Sequence, residues 1–269
     1  MSNDSNNPPA LVLDFSNNPL ALTPLAGSNQ RFNANDFDDS PAVPEKLAES
    51  SAATILARYP QPRSALLPLL HLVQAEDGYL TAAGINFCAA QLDLTDAEVT
   101  AVATFYSMYR RTPTGKYLVG VCTNTLCAIM GGDAILESLE NHLGIQAGHT
   151  TDDGAVTLEH LECNAACDYA PVIMVNWEFF DNQTPANACE LVDNLRDGAQ
   201  VTPTRGAPLC SFTETARTLA GLPDARPRGN PGAAGEATLA GLRVAHELGM
   251  QAPAPPTTET DASATDSGD

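Results

Sequence analysis

Four cysteines decide the fold of this chain, and they fall in two pairs, CTNTLC at residues 122–127 and CNAAC at residues 163–167. Four thiolates brought together favour a metal ion or an iron–sulfur cluster. Zinc sites usually have only two residues between the ligands of at least one pair, and plant-type ferredoxins place most of their ligands in one short run. Here four residues separate the first two cysteines and three separate the second two. The wider spacing favours a two-iron cluster held by two loops at one edge of a sheet, with a zinc site as the alternative.

Pattern analysis of the middle of the chain explains how the two pairs could meet. The predicted order is strand, helix, strand, strand, helix, over residues 117–122, 128–143, 156–161, 171–176 and 187–197. If the first two strands form a crossover unit in one sheet, they are parallel, and their carboxyl ends share one edge. Cys122 ends the first of these strands and Cys163 follows the second. We therefore expect both cysteine pairs at that edge.

Composition and charge argue against several classes of function. The chain has 269 residues, enough for one or two domains. Its 33 acidic residues outnumber its 13 basic residues, which leaves a formal net charge of −20. Phosphate groups bind lysine and arginine, so this charge argues against nucleic acid and anionic membrane surfaces as partners.

The cellular setting is predicted from the N-terminus and the cysteine count. Residues 1–5, MSNDS, lack the basic start and apolar stretch of a secretory signal. No apolar run approaches the roughly 20 residues of a transmembrane helix. Since the seven cysteines are an odd number and no signal peptide is evident, we expect a reduced, cytosolic chain without a disulfide framework.

Residues 45–111 are predicted to form a helical bundle. Apolar residues recur at helical spacing in four segments, and TDAE at residues 95–98 has the form of a capping box that opens the fourth. The third of these helices is expected over residues 81–91. His71 lies on an apolar face and is predicted to be a packed core residue rather than a ligand.

The two ends of the chain are predicted to be irregular. Residues 1–44 are rich in Asn, Asp, Ser and Pro, and we expect either a disordered tail or an arm that lies on a partner. Residues 199–269 are predicted to be a largely disordered C-terminal extension with one weak helix near residues 233–248. The boundaries thus predict an arm at 1–44, a bundle at 45–111, a cysteine domain at 112–198 and an extension at 199–269.

The remaining cysteines are not predicted to be ligands. Cys88 and Cys189 lie within helical apolar patterns, so we expect buried free thiols, and Cys210 has no predicted role. The sequence also lacks the glycine-rich and catalytic motifs of nucleotide-binding and hydrolytic enzymes. If the chain carries electrons, it has no site of its own for the hydride chemistry that supplies them, and a partner would have to provide that site.

Residues 45–198 resemble the thioredoxin-like two-iron ferredoxin subunits of bacterial respiratory complex I, the NADH-quinone oxidoreductase. The resemblance covers the helical region, ATFY at residues 103–106, GKY at residues 115–117, both cysteine pairs, and Ala170-Pro171. It implies an α+β fold in which a helical bundle precedes a thioredoxin-like [2Fe-2S] domain. It also implies that Cys122, Cys127, Cys163 and Cys167 hold one [2Fe-2S] cluster. This chain departs from the family at Leu126, where a proline is common, and at residues 164–166, where Leu-Gly-Ala is common.

The resemblance further implies a role within a larger enzyme. A partner subunit would bind NADH and FMN, and this subunit would dock beside it in the peripheral arm, on the cytoplasmic side of the cell membrane. The isolated chain is expected to oxidise no NADH.

There are three alternatives to that role, and the resemblance itself implies the first. Equivalent subunits occur in soluble NAD-linked hydrogenases and formate dehydrogenases, and a zinc-stabilised interaction domain would use the same four thiolates. A thioredoxin-like disulfide reductase would need C-x-x-C, a spacing that neither pair has.

Overall fold

The computed structural model describes residues 45–224, 226 and 235–251, which form helices and one mixed sheet. The helices are α1 (Glu45–Leu56), α2 (Leu66–Asp77), α3 (Ala82–Leu92), α4 (Asp96–Phe105), α5 (Thr125–Ile129), α6 (Gly132–Leu143), α7 (Pro185–Arg196), α8 (Phe212–Leu219) and α9 (Glu236–Glu247). The strands are β1 (Tyr117–Cys122), β2 (Val156–Leu161), β3 (Ile173–Val175) and β4 (Glu178–Phe180). Short 3-10 turns occupy Pro62–Ala65 and Cys167–Tyr169. The arm predicted over residues 1–44 lies outside the described residues, as does the end of the chain after residue 251.

Local signals in the sequence determine where the first helices begin and end. The Thr81 side chain accepts a hydrogen bond from the Gly84 N–H at the start of α3. The predicted capping box opens α4, since the side chains of Thr95 and Glu98 each accept a backbone hydrogen bond from the other residue. Helix α2 ends at Gly78, whose φ of 78° places it in the left-handed region that glycine adopts without strain.

Helices α1 to α4 share one apolar cluster, and His71 of α2 lies beside it. The His71 side chain is only 5% exposed and its ring centroid lies 4.8 Å from that of Tyr109. Burial disfavours the charged imidazolium and lowers the pKa of His71 to about 4. The structure therefore confirms the prediction that His71 is a core residue.

The sheet has the strand order β2-β1-β3-β4 and confirms the predicted crossover unit. Strands β1 and β2 pair in parallel, from Tyr117 opposite Val156 to Cys122 opposite Leu161. Strands β3 and β4 add antiparallel pairs on the other side of β1. One face of the sheet carries Val119 and Val121 of β1 and forms a second apolar cluster with α6 and α7.

Three details of the cysteine region differ from the prediction. The helix expected over residues 128–143 is two helices, α5 and α6, because Gly131 between them has a φ of 112°. The strand expected over residues 171–176 is limited to β3. Strand β4 was missed because its turn, Asn176-Trp177, reverses the chain with positive φ at both residues but contains no glycine.

Part of the C-terminal extension is folded, which corrects the prediction that residues 199–269 are largely disordered. Helix α8 packs against α2, and the Arg217 guanidinium lies 2.8 Å from the Glu76 carboxylate. The Phe212 ring is buried and stacks on Trp177 with ring centroids 5.7 Å apart. Helix α8 thus joins the helical region to the sheet. Helix α9 forms where the weak helix was predicted.

None of the helices in the described part of the chain is both long and apolar enough to cross a membrane.

Candidate metal centre

The first cysteine pair is built into the edge of the sheet. Cys122 is the last residue of β1, and its N–H donates to the Val172 carbonyl at 3.1 Å. Cys127 lies in α5 rather than in a loop as predicted. Both cysteines are only 3% exposed. A Cβ at Gly132 would lie 2.5 Å from the Cys122 carbonyl oxygen and 2.9 Å from that of Cys127, so glycine permits α6 to start directly against this pair.

The second cysteine pair lies on the surface. Cys163 follows β2 in a loop, and Cys167 opens the 3-10 turn Cys167–Tyr169. Both cysteines are exposed, and their sulfur atoms lie 3.8 Å apart. The Ala165 N–H points at the Cys163 sulfur at 3.4 Å, and Ala165 has a φ of 54°. The loop therefore turns tightly around Cys163 and gives its sulfur a backbone donor.

The environment of the sulfurs keeps two of the thiols protonated when no cation is bound. Burial, with further contributions from Cys122 and Cys167, raises the pKa of the Cys127 thiol to about 11. The hydrogen bond from Cys163 is the main cause that raises the pKa of the exposed Cys167 thiol. A metal would reverse this preference, because a coordinated thiol is deprotonated.

The structure brings all four predicted residues to the edge where β1 and β2 end. The Cys122 and Cys167 thiols both raise the pKa of the Cys127 thiol, and Cys122 also raises the pKa of the Cys167 thiol. Among the described residues, no three Cys, His, Asp or Glu side chains converge closely enough to hold a single metal ion. The sulfurs are arranged as two neighbouring pairs rather than as one compact tetrahedron.

This donor set fits a two-iron cluster. A tetrahedral metal with metal–sulfur bonds of about 2.3 Å holds two thiolates about 3.8 Å apart, which is the separation of the Cys163 and Cys167 sulfurs. Thiolates are the ligands that iron–sulfur clusters prefer, and the N–H near Cys163 is the kind of donor that tunes such clusters.

Two polar links near the cysteines were not predicted. Asn124 lies between the first two cysteines, and Glu162 directly precedes Cys163. The Asn124 side-chain amide donates a hydrogen bond to the Glu162 carboxylate at 2.8 Å. The Arg205 guanidinium lies 3.8 Å from Asp168, which follows Cys167, and 2.8 Å from Asp181. Charged and amide side chains are common on surfaces, so neither link had a signal in the sequence.

The other cysteines lie outside the centre. Cys88 is fully buried in the helical region, and burial raises the pKa of its thiol to about 12. Cys189 is only partly buried, which corrects the prediction of a buried thiol, because it lies at the margin of the α7 face that packs on the sheet. The Cys210 sulfur lies 3.2 Å from the Thr215 hydroxyl at the start of α8.

Comparison with known proteins places this geometry in a family. The profile of the thioredoxin-like [2Fe-2S] ferredoxin family matches residues 52–196. The chain belongs to this family. It is 66% identical over 215 residues to the E subunit of NADH-quinone oxidoreductase from Mycobacterium tuberculosis, a match that covers 79% of this chain and 85% of the relative. It is 38% identical over 146 residues to an E subunit of NADH-quinone oxidoreductase from Rhizobium meliloti, with 54% and 87% covered.

A solved structure with a similar region is the NAD+-reducing [NiFe]-hydrogenase in its air-oxidised state. The match has a TM-score of 0.45 and 22% sequence identity, and it covers 49% of this chain and 23% of the hydrogenase chain.

Proposed function

We propose that this chain is the electron-transfer subunit of an NADH-quinone oxidoreductase, respiratory complex I, and carries one [2Fe-2S] cluster. Cys122, Cys127, Cys163 and Cys167 would hold the cluster. The observation that carries the proposal is the placement of two cysteine pairs beside the ends of β1 and β2 in a chain that belongs to a [2Fe-2S] family. The two bacterial relatives, both matched over most of their own length, support the complex named here.

The residues around the site have separable tasks in this function. When bound, the cluster supplies one-electron transfer. The buried thiols of Cys122 and Cys127 would hold it on the side away from water, while Cys163 and Cys167 would hold it at the surface. This arrangement leaves an exposed side through which electrons can pass to or from a partner.

The exposed surface beside the first pair supports a protein partner. Ile129 of α5 is 77% exposed, and Leu126 and Met130 on the same segment are also exposed. Contiguous exposed apolar residues are typical of an interface. We assign this surface to a subunit that binds FMN and NADH, and through it to the rest of the peripheral arm, on the cytoplasmic side of the membrane.

We also propose the domain organisation in which this function is carried out. A helical bundle would span residues 45–111 and the thioredoxin-like domain residues 112–198, after an N-terminal arm at 1–44. Within the extension at 199–269, the buried residues Phe212 and Ala216 and the contact of α8 with α2 support α8 as an added part of the bundle.

Metal analysis tests whether the chain binds a two-iron cluster or a zinc ion. Protein produced with iron and sulfide available should be red-brown and contain two irons and two labile sulfides per chain, with a paramagnetic signal on reduction. The zinc alternative gives a colourless protein, because zinc–thiolate does not absorb visible light. One tightly bound zinc without labile sulfide would overturn the proposal.

Partner analysis tests the role in complex I. The isolated chain should not reduce ferricyanide with NADH and should gain this activity when its flavin-bearing partner is added. Purification of a tagged chain from native membranes should recover complex I subunits. Recovery of hydrogenase or formate dehydrogenase subunits instead would move the chain to those enzymes.

A further inference from the structure

Helix α9 lies outside the family match, yet it contacts the turn that carries Cys167. The match ends at residue 196, and α9 begins at residue 236. The Thr238 hydroxyl donates to the Asp168 carboxylate at 2.7 Å, and Asp168 directly follows Cys167. None of the α9 residues is buried. The helix is therefore held at the ligand turn by a specific contact rather than by a large apolar face.

A glycine makes this close approach possible. Gly235 is the residue before α9, and a Cβ added there would overlap the Tyr169 hydroxyl and lie 3.1 Å from Cζ of the same ring. Tyr169 ends the turn that begins at Cys167. Gly235 has a φ of −72°, so its backbone conformation does not require glycine. A side chain at this position would therefore act by displacing the Tyr169 ring.

Arg205 also contacts the same turn. The Arg205 guanidinium lies 3.8 Å from Asp168 and 5.4 Å from the centre of the Tyr169 ring. It is anchored in turn by Asp181 at 2.8 Å. Asp168 and Tyr169 thus each contact both Arg205 and the start of α9, so two groups support one short segment of the chain.

We propose that α9 acts as a latch, meaning that it holds the loop of Cys163 and Cys167 in place. In this proposal Thr238 and Gly235 are positioning residues for Cys167. The inference rests on the proposed function, since it assigns the latch to a cluster held by these cysteines. Cys163 and Cys167 are exposed whereas Cys122 and Cys127 are buried, so the sulfurs of the second pair have less packing around them. The latch restricts opening of this loop and so slows the loss of iron to solvent. Since α9 provides no ligand, cluster assembly persists without the latch.

Paired glycine variants of the full-length chain, loaded with iron and sulfide, test the latch. Gly235→Ser adds a side chain against Tyr169 but keeps a residue that caps helices well. Gly241→Ser adds the same side chain within α9, where a Cβ would meet nothing within 4 Å. Thr238→Val removes the hydroxyl that reaches Asp168, and Thr104→Val is its control, because the Thr104 hydroxyl bonds only to carbonyls of its own helix. The measurements are the rate of iron release to a chelator, amide hydrogen exchange over residues 163–169, and the reduced-state paramagnetic spectrum.

Thr238→Val should release iron about two- to tenfold faster, as expected for loss of one ordinary hydrogen bond. Gly235→Ser should also release iron faster, exchange should quicken over residues 163–169, and the reduced-state spectrum should shift in both variants. Adding Tyr169→Phe to Gly235→Ser removes the overlapping hydroxyl and should restore the slow rate. The two control variants should behave as the wild type.

Rates in Gly235→Ser or Thr238→Val that equal the wild-type rate would overturn the latch, as would equal acceleration by Gly241→Ser. If the wild-type chain bound no iron and sulfide in the loading experiment, the proposed function would be overturned, and the latch with it. The two failures are distinguishable, because the second is visible before any variant is made.

Discussion

The two cysteine pairs reach the same sheet edge by different means. Cys122 and Cys127 are each 3% exposed and lie among backbone groups of β1, α5 and α6. Cys163 and Cys167 are exposed and lie on a loop that polar side chains hold in place. Packing that excludes water therefore encloses the sulfurs of one pair, while hydrogen bonds and ion pairs at the surface support the loop of the other.

This difference separates two requirements of a surface redox centre. A buried pair would keep solvent away from one side of the proposed cluster and fix its position in the fold. An exposed pair would bring the other side to the surface, where a partner can approach, on a loop with less packing around its sulfurs. Surface polar contacts are individually weak, so several of them are needed to hold such a loop.

Replacement of the ligands should give the largest effect. Serine at position 122, 127, 163 or 167 replaces a soft thiolate with a harder, poorer donor, so each variant should lose the cluster or show a clearly altered spectrum. Iron, sulfide and the reduced-state spectrum are measured for all seven single Cys→Ser variants. Cys88, Cys189 and Cys210 serve as controls that should keep full iron content. A cluster that needs one of these three but not one of the four would refute the site.

Substitution of the closely packed Gly132 should disturb the first cysteine pair and not the second. Gly132→Ala forces a Cβ against the Cys122 and Cys127 carbonyls, and backbone atoms cannot move aside easily. We expect lower iron content and a free energy of unfolding reduced by roughly 1–3 kcal/mol, as for overpacking in a core. Gly241→Ala, at an open position of α9, should leave the iron content unchanged and should not lower the free energy of unfolding, because alanine favours a helix interior. Unchanged iron content and stability in Gly132→Ala would contradict the close packing of this pair.

The iron-free chain should show the same contrast in stability alone. Cys127→Ser places a hydroxyl in a buried site and should cost roughly 1–3 kcal/mol of unfolding free energy. Cys163→Ser changes an exposed residue and should stay within about 0.5 kcal/mol of the wild type. Denaturant unfolding without metal measures both values. Equal losses would show that burial does not distinguish the pairs.

Mild acid should lower the free energy of unfolding through His71 in the helical region rather than through either cysteine pair. The pKa of His71 is lowered to about 4 in the folded chain from 6.5. The unfolded state therefore binds the proton first as the pH falls, and stability is lost between pH 6.5 and about 4. The contribution should be about 1 kcal/mol between pH 7 and 5.5. His71→Gln should remove it, and a pH dependence unchanged by this variant would assign the effect to other groups.

Local patterns allowed much of the site to be predicted. The spacing of the cysteines indicated the cluster type, and the alternation of strand and helix indicated a parallel crossover that brings Cys122 and Cys163 to one edge. The capping box at Thr95 and the stop at Gly78 also act within a few residues. Each of these features depends on residues that are close together in the chain, so it can be predicted from the sequence.

The sequence by itself predicted which thiols could bind a cluster, and it determined which strands would carry them. Only the tertiary structure decided that one pair is buried and the other exposed, that α8 returns to pack on α2, and that Thr238 reaches Asp168. These contacts join residues that are far apart in the chain. Helical and strand periodicities show that a residue has an apolar face or a polar group, but they do not show which distant surface will meet it.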